Sequence, residues 1–122
     1  MLKNDFFYLG SLSDERGLIS AVIAFNPSHK IFNGHFPGHP VVPGVCMMQV
    51  ITEIIETARG GNLFLHKADR VKFLSVIVPQ KDGTINAEIM CLRTDGEILS
   101  FDARLFRDEI IYLKFRGELK QM

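Results

Sequence analysis

Residues 43–59 predict a helix that is apolar around almost its whole circumference, and such a helix needs a wrapping that covers it on most sides. Val45, Cys46, Met47, Met48, Val50, Ile51, Ile54 and Ile55 supply that surface. Pro43 suits the start and Gly60-Gly61 the end of the segment. The second half of the chain is strand-like: residues 68–78, 84–93, 98–106 and 110–118 are rich in Ile, Val, Leu and Phe. Asp95-Gly96 is a hairpin signal, Gln80 to Gly83 a turn, and Arg107-Asp108-Glu109 a second connection. Ahead of the helix, residues 17–25 read as a strand and residues 6–12 as a short first strand or turn. One buried helix and an antiparallel meander predict an α+β domain over residues 1–122, a curved sheet wrapped around one central helix.

With 122 residues, 47% of them hydrophobic, the chain has the material for one such core. Lys and Arg number 14, as do Asp and Glu, so the basic excess of a nucleic-acid binder is missing. No apolar run reaches membrane-spanning length, and Met1-Leu2-Lys3-Asn4-Asp5 lacks the pattern of a signal peptide. Cys46 and Cys91 sit in apolar segments, which predicts unpaired buried thiols in a reducing cytoplasm. Repeats and low-complexity tracts are not evident.

Residues 26–42 form a long irregular loop, and compact domains seldom keep one without a use for it. It ends in Gly34-His35-Phe36-Pro37-Gly38-His39-Pro40-Val41-Val42-Pro43-Gly44-Val45. Prolines restrict the backbone there, and glycines allow turns and close approach of a ligand. Gly44 and Val45 open the helix with N–H groups that have no helical acceptor, at the positive end of the dipole. An imidazole beside such donors is equipment for removing a proton next to a carbonyl. His35 and His39 stand four apart, but Pro37 and Gly38 deny them a shared helix, so no metal site is expected. His29 and His66 read as surface loop residues. Gln49, Thr52, Glu53 and Glu56 make a narrow polar stripe on the helix, and for Glu53 and Glu56 solvent exposure is the plain alternative to a role in chemistry.

The motif resembles that of the β-hydroxyacyl-acyl-carrier-protein dehydratases, roughly H-F-P-G-x-P-x-x-P-G-V with an acid further along the helix. His35, Phe36, Pro37, Gly38, Pro40, Pro43, Gly44 and Val45 match in register, and residues 71–79 resemble the family's Phe-containing strand ending in V-x-P. The chain departs from the pattern at Gln49, where the family has Glu or Asp, and Glu53 stands where members commonly carry Gln. The resemblance implies a hotdog fold and a 3-hydroxyacyl thioester substrate on the phosphopantetheine of an acyl carrier protein, without an organic cofactor or metal. It assigns His35 as the base that takes the C2 proton and the Gly44 N–H, with Val45 beside it, as the oxyanion donor. Gln49 and Glu53 then handle the C3 hydroxyl, with Glu53 as a stand-in acid. It further implies a homodimer or larger oligomer, or a heterodimer with a related subunit, with Phe36 and Phe73 walling the acyl tunnel. Lys67, Arg70 and Lys72 are the expected docking residues for the acidic carrier, though a solvated strand face accounts for them equally. Two rival functions stay open: a degenerate acyl-binding subunit that completes an active partner, and a hotdog thioesterase.

Overall fold

The computed structural model describes residues 1–33 and 40–122. His35, Phe36 and His39 therefore lie outside the described residues. Six strands form one antiparallel sheet in the order β1-β2-β4-β5-β6-β3: β1 (Phe7–Glu15), β2 (Leu18–Phe25), β3 (Leu63–Phe73), β4 (Thr84–Asp95), β5 (Ile98–Arg107) and β6 (Ile110–Gln121). Helix α1 (Gly44–Arg59) enters between β2 and β3 in sequence and packs against the sheet, touching β1, β2, β3, β4 and β6. A single turn of helix, α2 (Pro79–Asp82), precedes β4. This is the expected hotdog arrangement.

Period-two alternation puts one face of each central strand against α1. In β2, Ile19, Ala21, Ile23 and Phe25 are buried; in β4, Ile85, Ala87 and Ile89; in β5, Phe101, Ala103 and Leu105. They meet Val50, Ile51, Ile54 and Ile55 of α1, all fully buried. Each such side chain stabilises the fold by roughly 1.5–3 kcal/mol relative to exposure, so the helix contributes more to the core than any other single element. Phe101 and Phe115 add an edge-to-face pair with centroids 4.9 Å apart.

Helix α1 begins and ends within a residue of expectation, with Pro43 and Gly60 as its flanking caps. β3 does not lie where the sequence predicted. It runs from Leu63, five residues before the expected start, and stops at Phe73, with Leu74–Val78 outside any strand. Its register is set by β6, from Leu63 opposite Gln121 to Phe73 opposite Leu113. The turn at 80–83 is the helical turn α2, closed by Gly83. The β1–β2 hairpin turns at Arg16-Gly17, and the β4–β5 loop is Gly96-Glu97, one residue beyond the Asp95-Gly96 signal.

Candidate active site

Among the described residues, no side chain caps the start of α1. Pro43 precedes it, and the first turn holds no acidic residue. The Pro43 carbonyl accepts from Cys46 and Met47, at 3.0 and 3.2 Å. Helix geometry leaves the Gly44 and Val45 N–H groups with no acceptor inside the helix, next to the positive end of its dipole.

An apolar groove of about 620 Å³ opens at this point, between Val42–Met48 of the helix start and Phe73–Val76 beyond β3. Phe73 faces inward, paired with Leu113, and its ring lies against Gly44. A Cβ on residue 44 would meet that ring at 2.7 Å, so any other residue there would push the Phe73 ring aside. A second concavity of about 230 Å³ adjoins it, lined by Val45, Met48, Gln49, Thr52, Leu65 and Phe115. Val45 and Met48 line both, so one apolar surface leads from the helix N-terminus to Gln49. Residues 45, 48, 49 and 52 share a helix face by their spacing. Gly44, Val45 and Phe73 thus line the first concavity, and Val45 and Gln49 the second.

The two glutamates of the polar stripe are not at its wet edge. Glu53 is fully buried. Its Oε1 accepts from the backbone N–H of Leu2 at 2.9 Å and of Lys3 at 2.8 Å, and its Oε2 accepts from Leu2 and from the Gln49 amide, both at 2.9 Å. Glu56 is half-buried and accepts from the Leu63 N–H at 2.7 Å, tying the start of β3 to the helix. Solvent exposure therefore describes neither residue. Thr52 is also buried, its hydroxyl donating to the Met48 carbonyl.

His29 is a second correction: it is not a free surface residue. Its Nδ1 accepts from Ile31 N–H, its Nε2 pairs with Asp5 at 3.1 Å, and its ring packs edge-on against Phe6. His66 is exposed as expected, but in β3 rather than in a loop. Both cysteines are unpaired. Burial pushes the Cys46 thiol up, as its apolar neighbours predicted, and does the same for Cys91, against the lowering effect of nearby Arg59. Cys91 is only half-buried, which the sequence had placed inside.

Lys67, Arg70 and Lys72 are all exposed on β3. Lys67 pairs with Asp69 at 3.3 Å. Arg70 and Lys72 point away from the helix, on the face opposite Val71 and Phe73. Strand pairing sets Arg70 beside Arg116 and Lys72 beside Lys114, and β5 adds Arg104 beside Lys114. Like charges directly opposed across strands are unfavourable. Glu88 and Asp102 offset part of this, pairing with Arg104 and Arg116. Lys114 and Arg116 escaped the sequence reading because their place beside β3 depends on pairing between segments some 40 residues apart.

A single helix cradled by this sheet, with a groove at its N-terminus, defines the class as a hotdog protein. The chain belongs to the ApeI-like dehydratase family, whose model, described as ApeI dehydratase, matches residues 11–111. It is similar to the 3-hydroxyacyl-[acyl-carrier-protein] dehydratase FabZ of Sulfurimonas denitrificans, 28% identical over 106 residues, covering 76% of this chain and 68% of that one. The FabZ protein of Streptococcus thermophilus is 34% identical over 93 residues, 70% of this chain and 64% of that one. The chain spans between about half and two thirds of the length of the curated relatives it matches. Among solved structures, the dehydratase heterocomplex ApeI:P from Xenorhabdus doucetiae superposes with a TM-score of 0.72 at 19% identity, covering 93% of this chain and 97% of that one. The PaaI protein of E. coli has the same fold, with a TM-score of 0.64 at 13% identity. Among the described residues no helix is long and apolar enough to cross a membrane.

Proposed function

We propose that this protein dehydrates 3-hydroxyacyl thioesters carried on an acyl carrier protein, giving trans-2-enoyl thioesters in the cytoplasm. The observation that carries this reading is the apolar groove that starts at the Gly44 and Val45 N–H groups, which have no acceptor within the helix, and leads to Gln49. A thioester oxygen at Gly44 puts the acyl chain against Val45, Met48 and Phe73, and the C3 hydroxyl toward Gln49. The names of the FabZ relatives supply the substrate class.

His35 takes the C2 proton while the Gly44 N–H and the helix dipole stabilise the enolate oxygen. The C2–C3 double bond then forms and the C3–O bond breaks. Gln49 has no proton to give, because an amide does not titrate usefully. The proton gained by His35 is passed to the departing hydroxyl, which leaves as water, and the imidazole returns to its neutral form. No metal or organic cofactor enters the scheme; the substrate's own phosphopantetheine carries the acyl group.

We assign the carrier to the outward face of β3, where Arg70 and Lys72 stand beside Arg116 and Lys114, with Lys67 at the same strand. An acidic partner would relieve the opposed like charges there. The edge strand and its apolar neighbours Val45, Phe73, Leu74 and Val76, all exposed, support a second copy of this chain as the cover, with Phe36 contributed to the tunnel. Gln49 favours one further reading, a binding subunit that completes the site of a related, active chain.

The test is to incubate the purified protein with a 3-hydroxyacyl carrier protein and weigh the carrier by mass spectrometry. Loss of one water from the intact thioester is expected. Release of free acid would instead mean thioesterase action, and an unchanged carrier would favour the binding subunit.

A further inference from the structure

We infer that Glu53 is a positioning residue, which holds the Gln49 carboxamide with its NH2 end toward the protein and its carbonyl oxygen toward the acyl groove. This rests on the reading of Gln49 as the group that meets the substrate hydroxyl. Glu53 is fully buried, and donors surround its carboxylate: the Leu2 and Lys3 N–H groups and Gln49 Nε2, at 2.8–2.9 Å. Both carboxylate oxygens already accept from backbone N–H groups, so of the two ends of the Gln49 amide the NH2 donor is the one that faces them. Turning the amide over would set its oxygen against the Glu53 oxygen and lose a charge-assisted hydrogen bond.

The carboxylate is itself pinned. Leu2 and Lys3 grip it through the backbone, and Lys3 Nζ holds Thr57 one turn further along α1, at 3.1 Å. Leu2, Lys3, Glu53 and Gln49 therefore form one hydrogen-bonded run that ends at the concavity lined by Val45, Met48 and Leu65. Gln49 is otherwise exposed, and among the described residues its carbonyl oxygen is the polar end left for a ligand. The site then offers the C3 hydroxyl an acceptor. It selects acyl groups that carry a hydroxyl donor over those that do not, and it orients the C3–O bond without protonating it. Glu53 acts through Gln49 and never touches the substrate, in place of the stand-in acid that the exchanged pair suggested.

Two measurements on the intact protein test this. The first is hydrogen exchange of side-chain amides by NMR on 15N-labelled wild type. The Gln49 NH2 protons should exchange roughly tenfold more slowly than those of exposed Gln80, as one net hydrogen bond predicts. Equal rates would overturn the proposal, and no variant has to fold for the result to count. The second compares binding of a 3-hydroxyacyl pantetheine with its analogue lacking the hydroxyl, in wild type and in Glu53→Gln. A glutamine at 53 can donate, so the Gln49 amide is no longer forced one way. Preference for the hydroxylated ligand should fall roughly tenfold, while affinity for the analogue stays unchanged. Equal weakening toward both ligands would mark Glu53 as a structural support only and overturn the proposal. If wild type bound neither ligand, the dehydratase reading would fail, and the exchange rates would still decide how the amide is held.

Discussion

At position 49 an amide stands where the family pattern has a carboxylate, and the structure shows what surrounds it. Glu53, one turn on, is already bonded to Gln49 and to the Leu2–Lys3 backbone. Gln49→Glu would place a second carboxyl group at hydrogen-bond distance from buried Glu53, and two carboxylates sharing one site favour a shared proton over double ionisation. That proton is what a general acid needs. The variant should dehydrate faster than wild type, by up to ~10²-fold, while losing thermal stability through the strained pair. A rate series beside a melting curve checks both parts, and a variant as slow as wild type would place the missing chemistry elsewhere. The role of Glu53 was not legible in the sequence, because its partners lie 50 and 51 residues away. The motif residues Gly44 and Gln49 were legible, because short-range spacing on one helix fixes their face. Both thiols are pushed up by burial. Less thiolate is then present at neutral pH, so native protein should react slowly with iodoacetamide near pH 7 and faster as pH rises. Rapid labelling of Cys46 at neutral pH would contradict the core packing around α1.

Helix α1 could be placed closely because its ends are local chemistry: a proline that cannot extend it backward and a glycine that ends it at φ 83°. Its interior is the fold's main apolar resource. Ile54→Ala should cost ~2–5 kcal/mol, as for other large-to-small changes at fully buried positions, readable by denaturant unfolding. β3 resisted the same reading for a physical reason. Only Leu63 of its eleven residues is buried, so it carries little of the alternation that marks a strand. It also bulges twice, between Leu65 and Lys67 and between Ala68 and Arg70, which breaks the period. The strand exists because β6 templates it. Gly117 of β6 sits opposite Ala68, and a Cβ there would run into the Lys67 carbonyl. Gly117→Val should therefore detach β3 while leaving β2, β4 and β5 paired. Amide exchange would show this as lost protection over residues 63–73 alone, and a protected β3 would contradict the close approach.

At the scale of the whole molecule, a sheet with an exposed edge and an apolar rim makes an incomplete surface. Val45 is 74% exposed, Val76 63% and Phe73 52%, all at the groove. Contiguous apolar exposure of this kind marks an interface. A dimer is expected at low micromolar concentration, and Val76→Asp should shift it to monomer and cost activity together, as light scattering and turnover on one sample would reveal. A wild-type monomer with full activity would contradict the shared groove. The overall architecture was legible because one apolar helix and an antiparallel meander have few ways to hide each other; the assembly was expected from strand edges that need cover as well as from the family resemblance. The central claim is that His35 moves a proton at C2 while Gln49 holds the C3 hydroxyl, and the reaction run backward in D2O tests it most directly. Starting from a trans-2-enoyl thioester, wild type should yield the 3-hydroxyacyl thioester with a single deuterium at C2, and His35→Ala should slow this by ~10²–10⁴-fold. Free acid, or unaltered enoyl thioester with wild type, would contradict that claim.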